Sequence, residues 1–260
     1  GNYVAFGGGT ATSAFAVRRF ANGQIGGTAS PVTIPGSGPT VSNNAISWKS
    51  TGDYVVIGVT TGNANSNKVQ AYSFNSTTLA LATDSGFGAG SVSGTDCLAV
   101  AWRSGESEIV AGFNGALGGV TQNVRVFRHS PGALTELTSS YVAQTKTVNS
   151  VRWNTLGDLL FVGTASGTDD EGNVYAYLEE DAALAKVSGV GFASDVQSAV
   201  WDEVDGHFLI LGWLDTHARM YKFTTQNMTF ENVHLILDTD VQLQAPVRIR
   251  GLVELHGNGN

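Results

Sequence analysis

Four stretches of the chain repeat one pattern about fifty residues apart. They are NAISWKSTGDYVVIG (44–58), LAVAWRSGESEIVAG (98–112), NSVRWNTLGDLLFVG (149–163) and QSAVWDEVDGHFLILG (197–212). Each is a short alternating run ending in Trp, a polar turn containing Gly, and an apolar run ending in Gly. That is the signature of a β-hairpin. A period of this length marks supersecondary units that bury a core only by packing on one another. After each hairpin come a glycine-rich loop and a third strand: KVQAYSF, NVRVFRH, NVYAYLE and HARMYKF. An aromatic residue (Tyr72, Phe127, Tyr177, Tyr221) sits at the matched position each time. A weaker fourth strand follows, such as ALTELTSSYV or NVHLILDT.

The anchors Trp48, Trp102, Trp153 and Trp201 are spaced by 54, 51 and 48 residues, and Leu255 lies another 54 on, in RGLVEL. The tail therefore reads as a first strand with Leu in place of Trp. HGNGN supplies its turn, and the apolar run that should follow is YVAFGG at the other end of the chain. AFAVRRF then serves as third strand and TASPVTI as fourth. The expected fold is all-β: a single-domain five-bladed β-propeller of four-stranded antiparallel blades over 1–260, closed by pairing of the C-terminal strand with the N-terminal strands. The blades would span 247–260 with 1–40, then 41–94, 95–147, 148–194 and 195–246. Such closure ties the ring shut and covers strand edges that would otherwise invite aggregation.

The strand pattern and the Trp-turn-apolar-Gly hairpin resemble the WD40-type propeller family over essentially the whole chain. The chain departs from that family's signature. Where its Trp-Asp pair would end the third strand stand Tyr72-Ser73, Phe127-Arg128, Tyr177-Leu178 and Tyr221-Lys222, and the Gly-His pair is absent. The resemblance implies architecture rather than partner. In a propeller the first strand of each blade lines the central channel, and both faces of each sheet pack on neighbouring blades. The four tryptophans are then core residues, each worth several kcal/mol at about 25 cal/mol per Å² buried.

Composition narrows the function classes. The 260 residues carry a formal charge of −8, which argues against a nucleic-acid backbone as partner. No apolar run reaches the roughly 18 residues of a membrane-spanning helix, so membrane insertion is not expected. No basic start followed by an apolar stretch is visible, so no signal peptide is read. Cys97 is the lone cysteine, which rules out an internal disulfide or a cysteine-based zinc site. Sparse charge with abundant Ser, Thr, Asn and Gly suits an extracellular or cell-surface protein. Asn75-Ser-Thr77 and Asn227-Met-Thr229 match the glycan-acceptor triplet.

Candidate site residues gather where the first strands begin, at the channel mouth. Asp96, Asp195 and Asp240 each precede a first strand, and Asn44, Asn149 and Gln197 stand close behind. The five-bladed relatives of such a fold include glycosidases with a carboxylate trio at this mouth. That chemistry needs one protonated acid and one base or nucleophile, about 5–5.5 or 6.5–9.5 Å apart. Asp before a strand equally serves turn geometry, and no catalytic residue is assigned. Trp213 opens a loop and is placed to stack on a ligand or pack on neighbouring loops. Asp169, Asp170 and Glu171 in GTDDEGN are oxygen ligands of the kind calcium takes. Their spacing is not that of an EF-hand, and a solvated acidic loop is the simpler expectation. The five histidines form no metal triad, and no cofactor fingerprint occurs. Arg152 and Glu254 place charges just before the anchor, where a buried charge must be paired or hydrated.

The leading expectation is a non-enzymatic binding scaffold whose unequal loops take one asymmetric protein partner, with a glycan as another possible ligand. The second is a self-assembling surface subunit in which the closing strand enters a neighbouring copy. The third is a glycosidase-like enzyme using Asp96, Asp195 and Asp240.

Overall fold

A computed structural model describes residues 3–7, 15–22, 24–26, 40–60, 68–78, 80–87, 95–115, 122–144, 146–167, 170–201, 207–212, 218–223 and 230–231. All regular structure among them is β. The first repeat folds as β4 (Thr40–Trp48), β5 (Tyr54–Thr60), β6 (Val69–Asn75) and β7 (Ala80–Phe87). The second supplies β8 (Cys97–Trp102), β9 (Glu108–Phe113), β10 (Gln122–Ser130) and β11 (Ala133–Ala143). The third supplies β12 (Val148–Trp153), β13 (Leu159–Thr164), β14 (Gly172–Leu178) and β15 (Ala183–Val190). The fourth supplies β16 (Val196–Trp201), β17 (His207–Gly212), β18 (Ala218–Phe223) and β19 (Phe230–Glu231). Each repeat is an antiparallel meander of four strands in chain order. The first two meanders join into one eight-stranded sheet through a parallel bridge, Asn44 to Ala99, between their first strands.

The N-terminal segment makes a three-stranded sheet of β1 (Tyr3–Gly7), β2 (Phe15–Ala21) and β3 (Gln24–Gly26). In each complete repeat pair, the second strand of one meander packs on the first strand of the next: β5 on β8, β9 on β12 and β13 on β16. β1 packs on β4 in the same way, so β1 holds a second-strand place and β2 a third-strand place. Gln24–Gly26 pairs with β2 on the side away from β1. TASPVTI, expected as the fourth strand, lies outside the described residues, as does the tail that should supply a first strand. NVHLILDT is likewise outside them, and the fourth strand of its sheet starts at Phe230.

The repeated glycine has a packing reason. A Cβ on Gly58 would stand 2.7 Å from Cys97 Sγ and 2.8 Å from the Ala45 Cβ. On Gly163 it would stand 2.8 Å from Val196 Cγ1, and on Gly112 it would overlap Val148 Cγ1. Cys97, Val148 and Val196 are the first or near-first residues of the next meander's innermost strand, and all three are fully buried. Glycine at the end of the second strand thus lets one sheet close on the next.

Three anchor tryptophans are core residues, Trp102, Trp153 and Trp201 at 6%, 8% and 7% exposed, and Trp48 is half-buried against the same core. Three of the four anchors meet a ring on their third strand edge-on: Trp48 with Phe74 at 5.3 Å, Trp102 with His129 at 5.1 Å, and Trp153 with Tyr177 at 5.4 Å. This row differs from the matched aromatics expected from the sequence. In register, Trp48 lies across from Val55 and then Tyr72, and Trp102 from Ile109 and then Phe127. Trp153 lies across from Leu160 and then Tyr175, not Tyr177. The third strand of that repeat is slid by two residues, which keeps every side chain on its face.

First strands are stitched from one repeat to the next. The Trp102 N–H donates to Ser47 Oγ at 2.9 Å, Arg152 Nη1 donates to the Val100 carbonyl at 3.4 Å, and Trp201 Nε1 donates to the Arg152 carbonyl at 3.0 Å. The Arg152 charge is therefore met by carbonyl oxygens, Val100 and Val151 among them, and its burial lowers its pKa from the ordinary value.

Candidate functional site

The face expected to be the channel mouth is formed by the starts of the first and third strands and the loops between them. A bulge interrupts the ladder at the second residue of three first strands, between Cys97 and Ala99, Val148 and Ser150, and Val196 and Ser198. Asn149 and Gln197 are two of the bulged residues. A bulge leaves its residue out of the ladder and re-aims its side chain, so these two amides owe their position to broken alternation. Asn44 lies in β4 opposite Ala99 by its backbone. Asp240, Trp213 and Asp169 lie outside the described residues.

The mouth-face acids hold the frame together. The Asp96 N–H donates to Asn114 Oδ1 at 2.8 Å, Asn114 Nδ2 returns a bond to Asp96 Oδ2 at 3.1 Å, and the Asn114 N–H donates to the Asp96 carbonyl at 3.0 Å. The hairpin of the second repeat is closed at this end by a matched pair of side chains. Asp96 Oδ1 is buried and has no hydrogen-bond partner among the described residues. Asp195 accepts from the Ser166 N–H at 2.7 Å, across the seam to the preceding repeat, and from Gln197 Nε2 at 3.3 Å. Asp96 thus bonds within its own repeat, and Asp195 bonds within its repeat and to the one before it.

Among the described residues, Glu171 is the acid with the most hydrogen-bond partners. It is 1% exposed, and its two oxygens accept from Lys146 Nζ at 3.2 Å and from the N–H groups of Gly167 (3.1 Å), Phe192 (2.6 Å) and Ala193 (3.3 Å). Burial acts to raise its pKa. The Phe192 N–H, the Lys146 ammonium and the Gly167 N–H outweigh burial, and the carboxyl is held below its ordinary value. Asp170 pairs with Lys186 at 3.0 Å. The solvated acidic loop expected at Asp169, Asp170 and Glu171 therefore divides where it is described: Asp170 stays at the surface, and Glu171 is a buried strut. Among the described residues no cluster of three metal-ligating side chains occurs.

The row to which Glu171 belongs escaped the sequence reading. Lys68, Asn123 and Glu171 each stand four residues before the ladder-matched aromatics Tyr72, Phe127 and Tyr175, and they are 2%, 2% and 1% exposed. Asn123 ties down the next connection as Glu171 does: its Nδ2 donates to the Lys146 carbonyl and its Oδ1 accepts from the Gln144 N–H. The signal was a polar residue immediately after each glycine-rich loop. In GTDDEGN it was hidden by two acids beside it.

No protein-family model and no curated protein sequence matches the chain. Solved structures do resemble it in fold. A Bacteroides uniformis protein provisionally designated a 6-phosphogluconolactonase matches with a TM-score of 0.65 and 12% identity, over 83% of this chain and 62% of its own. A Bacteroides fragilis protein with the same provisional designation matches at 0.62 and 11%, over 88% and 66%. A Lactobacillus plantarum protein matches at 0.64 and 13%, over 93% and 69%. The chain thus spans less than two thirds of the first two. At these identities the likeness is one of fold: an all-β array of four-stranded antiparallel sheets, similar to β-propellers.

Proposed function

We propose that the chain is a non-enzymatic binding scaffold: a five-bladed, WD40-like propeller that holds one asymmetric protein partner on its mouth-face loops. The use of the mouth-face acids supports this reading. Asp96, Asp195 and Glu171 hold Asn114, Ser166 and the 192–193 backbone in place, and so fix the loops rather than converging on a reacting atom. Rigid frames with variable loops are how propeller functions are grafted. In this reading the tail from 247 onward lies beside β1, completing the blade that β1, β2 and β3 begin. Calorimetric titration and hydrolysis assays on a glycan panel test it. The expected results are no turnover and no set of repeated sugar sites. Turnover abolished by Asp96→Asn or Asp195→Asn, or five equal sugar sites, overturns it.

A second reading is self-assembly by exchange of the closing strand. It is favoured by the edge of β1 away from β2, which has no strand partner among the described residues. Closure within one chain has the advantage of effective concentration. Light scattering that rises with protein concentration supports exchange, and a strict monomer excludes it.

A further inference from the structure

At the end of the molecule away from the mouth, the seam between the second and third repeats carries a groove of about 700 Å³. Its walls come from two turns of the third repeat, the one around Leu156 and the one from Glu179 to Ala182. Arg103 crosses from the second repeat and is fully engaged there. Its Nε donates to the Gly157 carbonyl at 2.7 Å, its Nη2 meets Glu179 at 2.5 Å, and its guanidinium lies 4.7 Å from the Tyr177 ring centre. Gly157, with φ of +74°, leaves room for that crossing, since a Cβ would stand 2.8 Å from Arg103 Nε.

What remains open is acidic and apolar together. Four carboxylates line the groove against the single guanidinium. Among the described residues no cation pairs with Asp158, Glu180 or Asp181. Leu156 and Leu178 are 76% and 46% exposed, among the large apolar side chains most open to solvent in the described residues. Tyr177 lines the same groove at 7% exposure, and its hydroxyl has no hydrogen-bond partner among the described residues. An unused buried hydroxyl is costly unless something supplies its partner.

We propose that this groove docks a cationic peptide segment with apolar residues between its charges. The Leu156 and Leu178 side chains would cover the apolar residues, and Asp158, Glu180 and Asp181 would face the Lys or Arg heads. Clefts of this volume fall in the range that binds ligands. Charge complementarity selects the sign of the partner and makes binding salt-dependent. The groove is independent of the mouth-face reading, and either stands if the other fails.

Fluorescence anisotropy with a fluorescein-labelled KLRKLR peptide tests it. Glu180→Lys and Asp181→Lys should each weaken binding about tenfold. Leu156→Ser with Leu178→Ser, which leaves the charge unchanged, should weaken it comparably. Thr77→Lys with Thr78→Lys, on an exposed turn of the first repeat, adds the same charge as Glu180→Lys and should change little. Circular dichroism confirms that each variant is folded. Equal loss in the Thr77/Thr78 control, unchanged binding in the leucine variant, or no binding at millimolar peptide overturns the proposal.

Discussion

Gly112→Ala is expected to destabilise the protein by about 2–3 kcal/mol, at the upper end of what inserting one methyl into a packed core costs. The added Cβ would overlap Val148 Cγ1 and stand 3.0 Å from Val148 Cβ and 3.3 Å from Val151 Cγ1, below or near the closest approach real Cβ atoms show. Val148 and Val151 are fully buried on β12, and a β-branched side chain there has little freedom to turn away. Val148→Ala alone removes two carbon groups, worth about 1.6 kcal/mol at about 0.8 per group, plus a cavity term. In the double variant the new methyl enters the vacated space. The two costs should therefore fail to add, by at least about 1 kcal/mol in the stabilising direction. Gly115→Ala, where a Cβ meets nothing within 4 Å, is the control and should stay within about 0.5 kcal/mol of wild type. Urea unfolding monitored by tryptophan fluorescence reads all four. A neutral Gly112→Ala, or costs that add, would refute the idea that this glycine exists to let the next sheet approach.

Two further outcomes follow from burial and charge. The Glu171 carboxyl has a folded pKa below its unfolded value, so it contributes stability that is fully present above the unfolded value of about 4.3 and is lost as pH falls through the folded one. Glu171→Gln should lower stability at pH 7 by about 1–3 kcal/mol and flatten the decline in acid, read by urea unfolding from pH 7 to pH 3. Cys97 is fully buried, and burial pushes its thiol pKa upward, so Ellman's reagent should react with it only as the protein unfolds.

The hairpins were legible in the sequence because their signals are local. Trp anchors, Gly-bearing turns and apolar runs recur at one spacing, and the meanders follow them strand for strand. The glycines at 58, 112 and 163 were legible as strand ends, but their purpose was not, because Cys97, Val148 and Val196 approach them from another sheet. The sequence pattern puts Tyr177 where the ladder has Tyr175, because a two-residue slip leaves the apolar face unchanged. Only the ladder, in which Leu160 meets Tyr175, separates the alternatives. Asn149 and Gln197 were picked for position, and the bulges that set them apart leave no mark in an alternating pattern. Glu171 looks like a solvated acid in the sequence because two of the backbone N–H groups that hold it, those of Phe192 and Ala193, come from a connection remote in sequence.

Ring closure is decided by a cysteine scan between β1 and the tail. In a Cys97→Ala background, Val4, Ala5 and Phe6 are each paired as cysteines with cysteines at Leu252, Val253 and Glu254. Neighbouring strands hold paired Cα atoms about 4.5–5.5 Å apart, inside the window a disulfide accepts. If head and tail share one sheet, mild oxidation in dilute solution yields bridged monomers for one register of pairs and not for the others. Disulfide-linked dimers alone, or no bridge in any of the nine combinations, would contradict a ring closed within the chain.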